Sequence, residues 1–152
     1  MTARLSWFTK TFAELTTVEL YEILQLRQAV FVVEQTCPYL DADGADEQAY
    51  HLYARSEDGA IVAYARLFLP TEQAPYSRIG RVISAGTVRR QGLGRELMRR
   101  AITRCEEQAP HMPIRLGAQV YLRRFYQDFG FTEISAEYLE DDIPHVDMER
   151  RS

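Results

Sequence analysis

The sequence reads Arg89-Arg90-Gln91-Gly92-Leu93-Gly94-Arg95 between an apolar run at residues 79–83 and an amphipathic segment at residues 96–108. The apolar run predicts a strand, and the amphipathic segment predicts a helix. Backbone N–H groups at a helix start have no partner within the helix and lie at the positive end of its dipole. Glycine has no Cβ atom, so an anion can approach this backbone closely. The stretch therefore predicts a phosphate-binding turn between a strand and a helix.

A purely structural interpretation of the stretch stays open. Glycines near a helix start are often only turn residues, and arginines on a helix usually form a solvated face. Two other phosphate loops do not fit. The Lys-Ser/Thr pair of a Walker A loop does not follow Gly94, and Leu97 stands where a dinucleotide-binding fingerprint has its third glycine.

Composition places the chain among ordinary globular proteins. It has 152 residues, of which 46% are apolar and 26% are charged. This length predicts a single domain spanning residues 1–152. No run approaches the roughly 18 apolar residues of a membrane span, and the N-terminus lacks the apolar stretch of a signal peptide. We therefore expect a cytoplasmic protein that does not bind membranes.

The net charge and the two cysteines argue against a nucleic-acid partner and a metal site. A formal net charge of -4 argues against nucleic acid as the main partner. Cys37 and Cys105 lack metal-ligand spacing, which predicts two reduced thiols and no metal site.

Strand and helix patterns alternate along the chain. Strands are predicted at residues 5–12, 50–55, 60–69, 78–84, 114–118, 131–136 and 146–150, and helices at residues 16–33, 91–108 and 120–128. The first helix starts at Thr16-Thr17-Val18-Glu19, which has the spacing of a capping box. Gly130 is predicted to cap the last helix. The order of elements predicts an α/β (α+β) protein with a mixed sheet and helices on its faces.

Two charged residues interrupt the apolar stripe of the first helix. Arg27 and Glu34 fall on this stripe, and such a charge is either a partnered buried group or lines a cleft. They lie about two turns apart, roughly 10 Å along the axis, so they are not expected to pair with each other. A polar loop at residues 37–48 follows, and loops of this length are often functional.

Two motifs resemble one family. The stretch Arg89-Arg90-Gln91-Gly92-Leu93-Gly94 resembles the Gln/Arg-x-x-Gly-x-Gly/Ala motif of the GNAT superfamily of N-acetyltransferases. Further on, Phe125-Tyr126-Gln127-Asp128-Phe129-Gly130-Phe131 resembles that superfamily's Phe-Tyr-x-x-x-Gly-Phe element. The segments at residues 26–35, 37–39, 80–82 and 138–145 are similar to the signature of the ElaA-like branch. The resemblance implies the GNAT fold, a mixed and mostly antiparallel sheet of about six or seven strands flanked by about four helices.

The resemblance implies acetyl-CoA as the donor. The backbones of Val82, Ile83 and Ser84 would contact the pantetheine arm and polarise the thioester carbonyl, and the pyrophosphate would bind the N–H groups of residues 89–95. Core packing is the alternative role for the side chains in this strand. Many members carry Asn seven residues before the motif tyrosine, and here Gln119 takes that place. Tyr126 would protonate the leaving thiolate, unless it is only a packing residue.

The resemblance also implies an amine acceptor, which must lose a proton before it attacks. The sequence offers Glu34, His51 and Asp142 as acceptor-site residues and candidate bases, and does not choose between them. Glu34 has the strongest case, because it ends the first helix on the inward stripe. Arg27 is predicted to line the same site. Structural ion pairs and a packed histidine are the alternatives.

Acidic residues crowd the predicted acceptor side. They would favour a cationic acceptor, unless they are merely solvated. The residues are Glu34, Asp41, Asp43, Asp46, Glu47, Asp141 and Asp142.

The leading prediction is an N-acetyltransferase that moves an acetyl group from acetyl-CoA to a primary amine of a small molecule or peptide. Transfer is expected by direct attack in a ternary complex, because neither cysteine has an evident base partner in the sequence. A homodimer is compatible with this function. The alternatives are a non-catalytic acyl-CoA-binding or sensing module and an acyl-homoserine-lactone-synthase-like acyltransferase. The compact glycine turn favours a CoA donor over an acyl-carrier protein.

Overall fold

The computed structural model describes residues 4–84 and 92–151. Arg89, Arg90 and Gln91 of the predicted phosphate turn therefore lie outside the described residues. The strands are β1 (Ser6–Thr11), β2 (Tyr50–Arg55), β3 (Ile61–Phe68), β4 (Ser77–Ser84), β5 (Ile114–Gln119), β6 (Thr132–Glu133), β7 (Tyr138–Glu140) and β8 (Ile143–Arg150). The α-helices are α1 (Thr17–Arg27), α2 (Leu93–Gln108) and α3 (Arg123–Gln127).

The strands form one eight-stranded sheet in the order β1-β2-β3-β4-β5-β8-β6, with β7 paired to β8. Strand β4 pairs in parallel with β5, where Ser77 faces Ile114 and Arg78 faces Arg115. The pairs β1-β2, β2-β3, β5-β8, β6-β8 and β7-β8 are antiparallel. The predicted mixed, mostly antiparallel α/β sheet is confirmed, and it has one strand more than the sequence pattern indicated.

The chain divides into two compact units. The first comprises Met1–Leu67 and Arg81–Leu97, and the second comprises Phe68–Gly80 and Met98–Ser152. The prediction of a single domain stays a prediction. Among the described residues, no helix is long and apolar enough to cross a membrane.

Each unit has buried apolar side chains. In the first, α1, β2, β3 and β4 contribute Ile23, Tyr53, Tyr64 and Ile83 to one cluster. In the second, β5 and β8 pair along their length, from Ile114 opposite Arg150 to Gln119 opposite His145. Their buried apolar residues are Ile114, Leu116, Ala118, Val146 and Met148.

Helix α1 begins as predicted. The Glu19 N–H donates to Thr16 Oγ1 at 3.1 Å, and the Thr16 N–H donates to the Glu19 carboxylate at 2.8 Å. These reciprocal bonds confirm the capping box, because they satisfy two N–H groups that the helix itself leaves without a partner.

The first helix does not continue in α form to its predicted end. After Arg27 the chain forms a π-helical segment, Gln28–Glu34, in which the Gln35 N–H donates to the Val30 carbonyl at 3.3 Å. A π-turn spaces its hydrogen bonds by five residues instead of four, so the α-helical stripe cannot be extended through it. The prediction that Glu34 shares the inward stripe of Arg27 is therefore wrong, since Arg27 is buried and Glu34 is exposed.

The helices after β4 agree with their apolar patterns. All six residues that the pattern of α2 assigns to the core are buried: Leu93, Leu97, Met98, Ala101, Ile102 and Cys105. Helix α3 ends at Gln127, and the predicted Gly130 follows in the left-handed conformation with a φ of 87°. The Phe131 N–H then donates to the Tyr126 carbonyl at 3.3 Å, as in a glycine-capped helix end.

The C-terminal hairpin is absent from the predicted elements. Strands β7 and β8 are joined by Asp141 and Asp142, whose φ angles are 50° and 63°. Two consecutive left-handed residues make a tight hairpin turn, and aspartate tolerates this conformation better than most residues. The strand predicted at residues 131–136 is shorter, and only Thr132–Glu133 pairs with β8.

Candidate active site

The described part of the glycine turn leads directly into α2. Gly92 has a φ of 76° and open space where a Cβ would lie, so its backbone angle rather than crowding favours glycine. The Glu96 N–H donates to the Gly92 carbonyl at 3.1 Å. The first N–H groups of a helix generally have no acceptor within the helix itself. This geometry suits the predicted anion site, which stays a prediction.

Strand β4 precedes the turn and contains an unusual backbone angle. Arg81 has a φ of 51°, which lies in the left-handed region. Such an angle costs a non-glycine residue about 1–2 kcal/mol, so its surroundings must hold it in place. Val82 and Ser84 are half-buried and Ile83 is buried. The three residues predicted to contact the pantetheine arm thus directly follow a constrained position.

A buried ion cluster, with exposed Asp43 and half-buried Arg81 at its edge, joins α1, the loop at residues 37–48, β3 and β4. Its members are Arg27, Arg66, Arg81, Asp41, Asp43 and Asp46. Arg27 is 0% exposed, and it donates from Nε to Asp41 Oδ2 at 2.8 Å and from Nη1 to Asp46 Oδ1 at 2.6 Å. Burial alone lowers the pKa of Arg27, but the hydrogen bond to Asp46 and the nearby negative charges raise it above its ordinary value. Arg27 therefore stays charged inside the protein.

Arg66 of β3 closes the other side of the buried ion cluster. Its Nη1 and Nη2 donate to the two carboxylate oxygens of Asp43 at 2.8 and 2.9 Å. Its Nη1 also donates to Asp46 Oδ1 at 3.0 Å. Bidentate pairs of this kind are among the strongest ion pairs in proteins. The Arg66 guanidinium accordingly holds the pKa of Asp43 well below its usual range.

The cluster changes the predicted electrostatics of the acceptor side. Asp41, Asp43 and Asp46 are matched by three arginines, so the cluster has no formal net charge. The predicted acidic field is therefore cancelled at its centre, while Glu34 and Glu47 are exposed in the same unit. Within residues 4–84 and 92–151, no group of three or more His, Cys, Asp or Glu side chains is placed to hold a metal ion.

His51 lies next to Asp46 of the cluster, and both of its ring nitrogens form hydrogen bonds. It is 0% exposed, with Nδ1 at 2.6 Å from Tyr64 Oη and Nε2 at 3.0 Å from the Asp46 carbonyl. A carbonyl can only accept, so Nε2 carries the proton and Nδ1 accepts from the tyrosine hydroxyl. Burial lowers the pKa of His51, which keeps the ring neutral.

Two predicted acceptor-site residues have structural partners instead of exposed surface. Arg27 and His51 are fully buried, which accounts for their residue types without a substrate, and their assignment as acceptor-binding groups stays a prediction. Glu34 is exposed at the end of the π-helical segment and stays a candidate. Asp142 belongs to the second unit, where its left-handed backbone in the hairpin turn accounts for its residue type without a chemical role.

Replacing Arg27 by leucine is expected to lower the free energy of unfolding by about 3–5 kcal/mol, because two buried carboxylates lose their common partner. The matched control is Arg55→Leu. Arg55 pairs with Glu22 at 2.9 Å where both side chains are partly exposed, and such pairs contribute at most about 1 kcal/mol. Chemical denaturation measures both variants. Equal losses in the two would contradict a stabilising role for the buried ion cluster.

In the second unit, Tyr126 and Gln119 occupy the ends of neighbouring elements. Tyr126 on α3 is 6% exposed and packs edge-to-face against Phe131 with ring centroids 6.2 Å apart. Burial raises the pKa of Tyr126 to about 12, so its hydroxyl keeps its proton at physiological pH. Gln119 is the last residue of β5 and is half-buried.

Both cysteines are buried thiols. Cys37 Sγ lies 3.4 Å from the Gln35 carbonyl, and burial raises the pKa of Cys105 to about 11. A thiol with a raised pKa is a poor nucleophile. The described structure therefore gives Cys105 no features of a covalent catalyst.

Sequence comparison finds relatives over nearly the whole chain. Residues 25–152 match the family model described as an acetyltransferase (GNAT) domain. A UPF0039 protein of Synechocystis sp. is 39% identical over 144 residues, which are 95% of this chain and 94% of that protein.

Two crystal structures have the same fold. An acyl-CoA N-acyltransferase from Pseudomonas aeruginosa has a TM-score of 0.90 at 45% identity, covering 95% of this chain and 99% of that chain. Escherichia coli ElaA has a TM-score of 0.91 at 40% identity, covering 97% of this chain and 100% of that chain. The comparisons therefore agree with the resemblance that the two sequence motifs indicate.

Proposed function

The chain belongs to the GNAT acetyltransferase family and shares the fold of an acyl-CoA N-acyltransferase from Pseudomonas aeruginosa, and we propose that it transfers an acetyl group from acetyl-CoA to a primary amine. The observation that carries this proposal is the start of α2, where left-handed Gly92 leads into the helix after β4. The positive end of a helix suits the pyrophosphate of CoA.

The donor would extend from this helix start along β4. The N–H groups of residues 92–95 would bind the pyrophosphate, together with residues 89–91 outside the described structure. The backbone of Val82, Ile83 and Ser84 would bind the pantetheine arm, and Gln119 would contribute an amide contact. A backbone N–H aimed at the thioester oxygen would stabilise the negative charge that develops there, an effect of about 3 kcal/mol per donor in enzymes where it has been tested.

Transfer would take place by direct attack of the amine on the thioester. The burial of both cysteines supports this route, since neither side chain is exposed to attack the donor. The amine nitrogen forms the new amide bond as the carbon–sulfur bond breaks. Tyr126 then gives its proton to the departing thiolate, and the proton that the new amide nitrogen releases restores Tyr126 through solvent. The amine must lose a proton beforehand, and Glu34, the exposed carboxylate at the end of the π-helical segment, is the proposed base, directly or through water.

The proposal is tested by thiol release from acetyl-CoA in the presence of single amines. A suitable panel contains a linear polyamine, a lysine amide and a short peptide with a free N-terminus. A thiol reagent reports the CoA that is formed, and the protein contributes little background because Cys37 is 7% and Cys105 is 1% exposed. We expect turnover with at least one amine and none without an amine.

Other outcomes separate the competing functions. Tight CoA binding without turnover on any amine would favour a sensing module. Turnover with an acyl-carrier-protein thioester, but not with acetyl-CoA, would favour the lactone-synthase-like alternative. Failure to bind CoA would contradict both CoA-dependent functions.

A further inference from the structure

One strained residue separates the two halves of β4. Arg81 has a left-handed φ of 51° inside an extended strand, a conformation that glycine adopts freely and arginine does not. Residues held in such regions persist only where neighbouring contacts determine them, and they concentrate at functional sites.

The side chain of Arg81 is held by the acidic loop. Its Nε donates to Asp41 Oδ1 at 2.9 Å, and its Nη2 donates to the Asp41 carbonyl at 3.3 Å. Its guanidinium also lies over the ring of Tyr39, 5.6 Å from the centroid. Its Nη2 also lies 3.5 Å from Asp43 Oδ2, so this side chain of β4 is held by four contacts with three residues of the loop.

Asp41 is itself fixed from the opposite side. Its side chain is 2% exposed, and its second carboxylate oxygen accepts from Arg27 Nε at 2.8 Å. Tyr39 Oη donates to the same oxygen that Arg81 uses, at 3.1 Å. Because Arg27 ends α1 and is fully buried, Asp41 links the rigid end of that helix to the strained residue of β4.

We propose that Asp41 and Arg81 are positioning residues, which hold the backbone of Val82, Ile83 and Ser84 in the orientation that binds the thioester arm. This inference rests on the proposed function of that strand segment. Side chains and backbone groups of a strand alternate in direction, and a left-handed residue changes which way the following groups face. If Arg81 relaxed to an extended angle, the N–H and carbonyl groups after it would turn away from the donor.

Two variants separate the effect of the backbone angle at residue 81 from the effect of losing the arginine side chain. Arg81→Gly removes the bridge to Asp41 but adopts the left-handed angle without cost, whereas Arg81→Ala removes the same bridge and resists that angle. We expect Arg81→Ala to lower kcat and weaken CoA binding by roughly tenfold or more, the scale that small misplacements of reacting groups produce. Arg81→Gly should restore both values to within about fivefold of the wild type, because glycine adopts the angle freely and adds only a small entropic cost in a strand. Steady-state kinetics and calorimetric CoA titration measure these effects, and thermal unfolding monitors the fold.

Two results would overturn the proposal. Equal losses in the glycine and alanine variants would mean that the left-handed angle of residue 81, which the proposal requires, does not decide donor binding. Unchanged kinetics and CoA affinity in both variants would mean that the bridge does not position the strand. If the wild type binds CoA but turns over no amine, the proposed function fails. The CoA affinities of the two variants then still decide whether Arg81 positions β4.

Discussion

Replacing Gly94 by glutamate is expected to weaken CoA binding by a hundredfold or more. Gly94 is the second residue of α2 and is half-buried, in the first turn where the pyrophosphate is proposed to bind. Glutamate adds bulk and a negative charge at this point, and like charges in contact cost several kcal/mol, where about 1.4 kcal/mol is a tenfold change in affinity. Calorimetric titration with CoA measures the loss.

The substitution should leave the fold intact, which makes the binding result interpretable. Glutamate has a higher helix propensity than glycine, and an acidic residue in the first turn interacts favourably with the helix dipole. The matched control is Gln108→Glu, which adds the same charge at the last residue of α2. It should leave CoA affinity unchanged. A folded Gly94→Glu protein with wild-type CoA affinity would remove the anion-site argument.

Local sequence patterns were sufficient to predict the elements that surround the proposed donor site. The spacing of Leu93, Leu97 and Met98 indicates the buried face of α2, because a regular helix repeats every 3.6 residues. The capping box of α1 depends only on residues three positions apart. Such features follow from short-range geometry, which the order of residues determines directly.

The acceptor side could not be predicted in the same way. The π-helical segment after Arg27 breaks the helical period, so extrapolation placed Glu34 on the wrong face. The buried ion cluster pairs a loop with arginines on three different elements, and Arg66 and Arg81 follow Asp41 by 25 and 40 residues in the sequence. Acidic spacing in the loop cannot reveal partners at that separation. A loop with three aspartates therefore suggests a negative field whose centre is neutralised by arginines in the folded chain.

The hairpin turn at Asp141 and Asp142 could not be predicted from the sequence for a different reason. Hairpin turns with two left-handed residues are recognised most readily from Asn-Gly or Asp-Gly, because glycine adopts that angle freely. Two aspartates tolerate it less well, so the strand pair β7-β8 has no strong sequence signal. Without that signal, the sequence offers Asp142 as a candidate base, whereas its place in the hairpin turn already accounts for an aspartate there.

Replacing Tyr126 by phenylalanine is expected to lower kcat by about a hundredfold or more while CoA affinity stays unchanged, since positioned proton donors contribute roughly 10²–10⁴ in rate. Burial raises the pKa of Tyr126 to about 12, whereas a free thiol has a pKa of about 8.5. Proton transfer to a solvated thiolate would therefore be unfavourable. A thiolate that forms in a similarly buried environment also has a raised pKa, which brings the two groups closer.

The raised pKa of Tyr126 also predicts how the effect of Tyr126→Phe on kcat depends on pH. Tyr126 keeps its proton well above neutral pH, so the ratio of wild-type to variant kcat should stay constant from pH 7 to about pH 10. The matched control is Tyr121→Phe, which removes a hydroxyl from a nearby tyrosine that is 76% exposed, and it should retain wild-type kcat. Wild-type turnover of Tyr126→Phe at every pH would assign the proton to water or another group. A ratio that falls toward one above pH 9 would identify a donor with a lower pKa than a buried tyrosine can have.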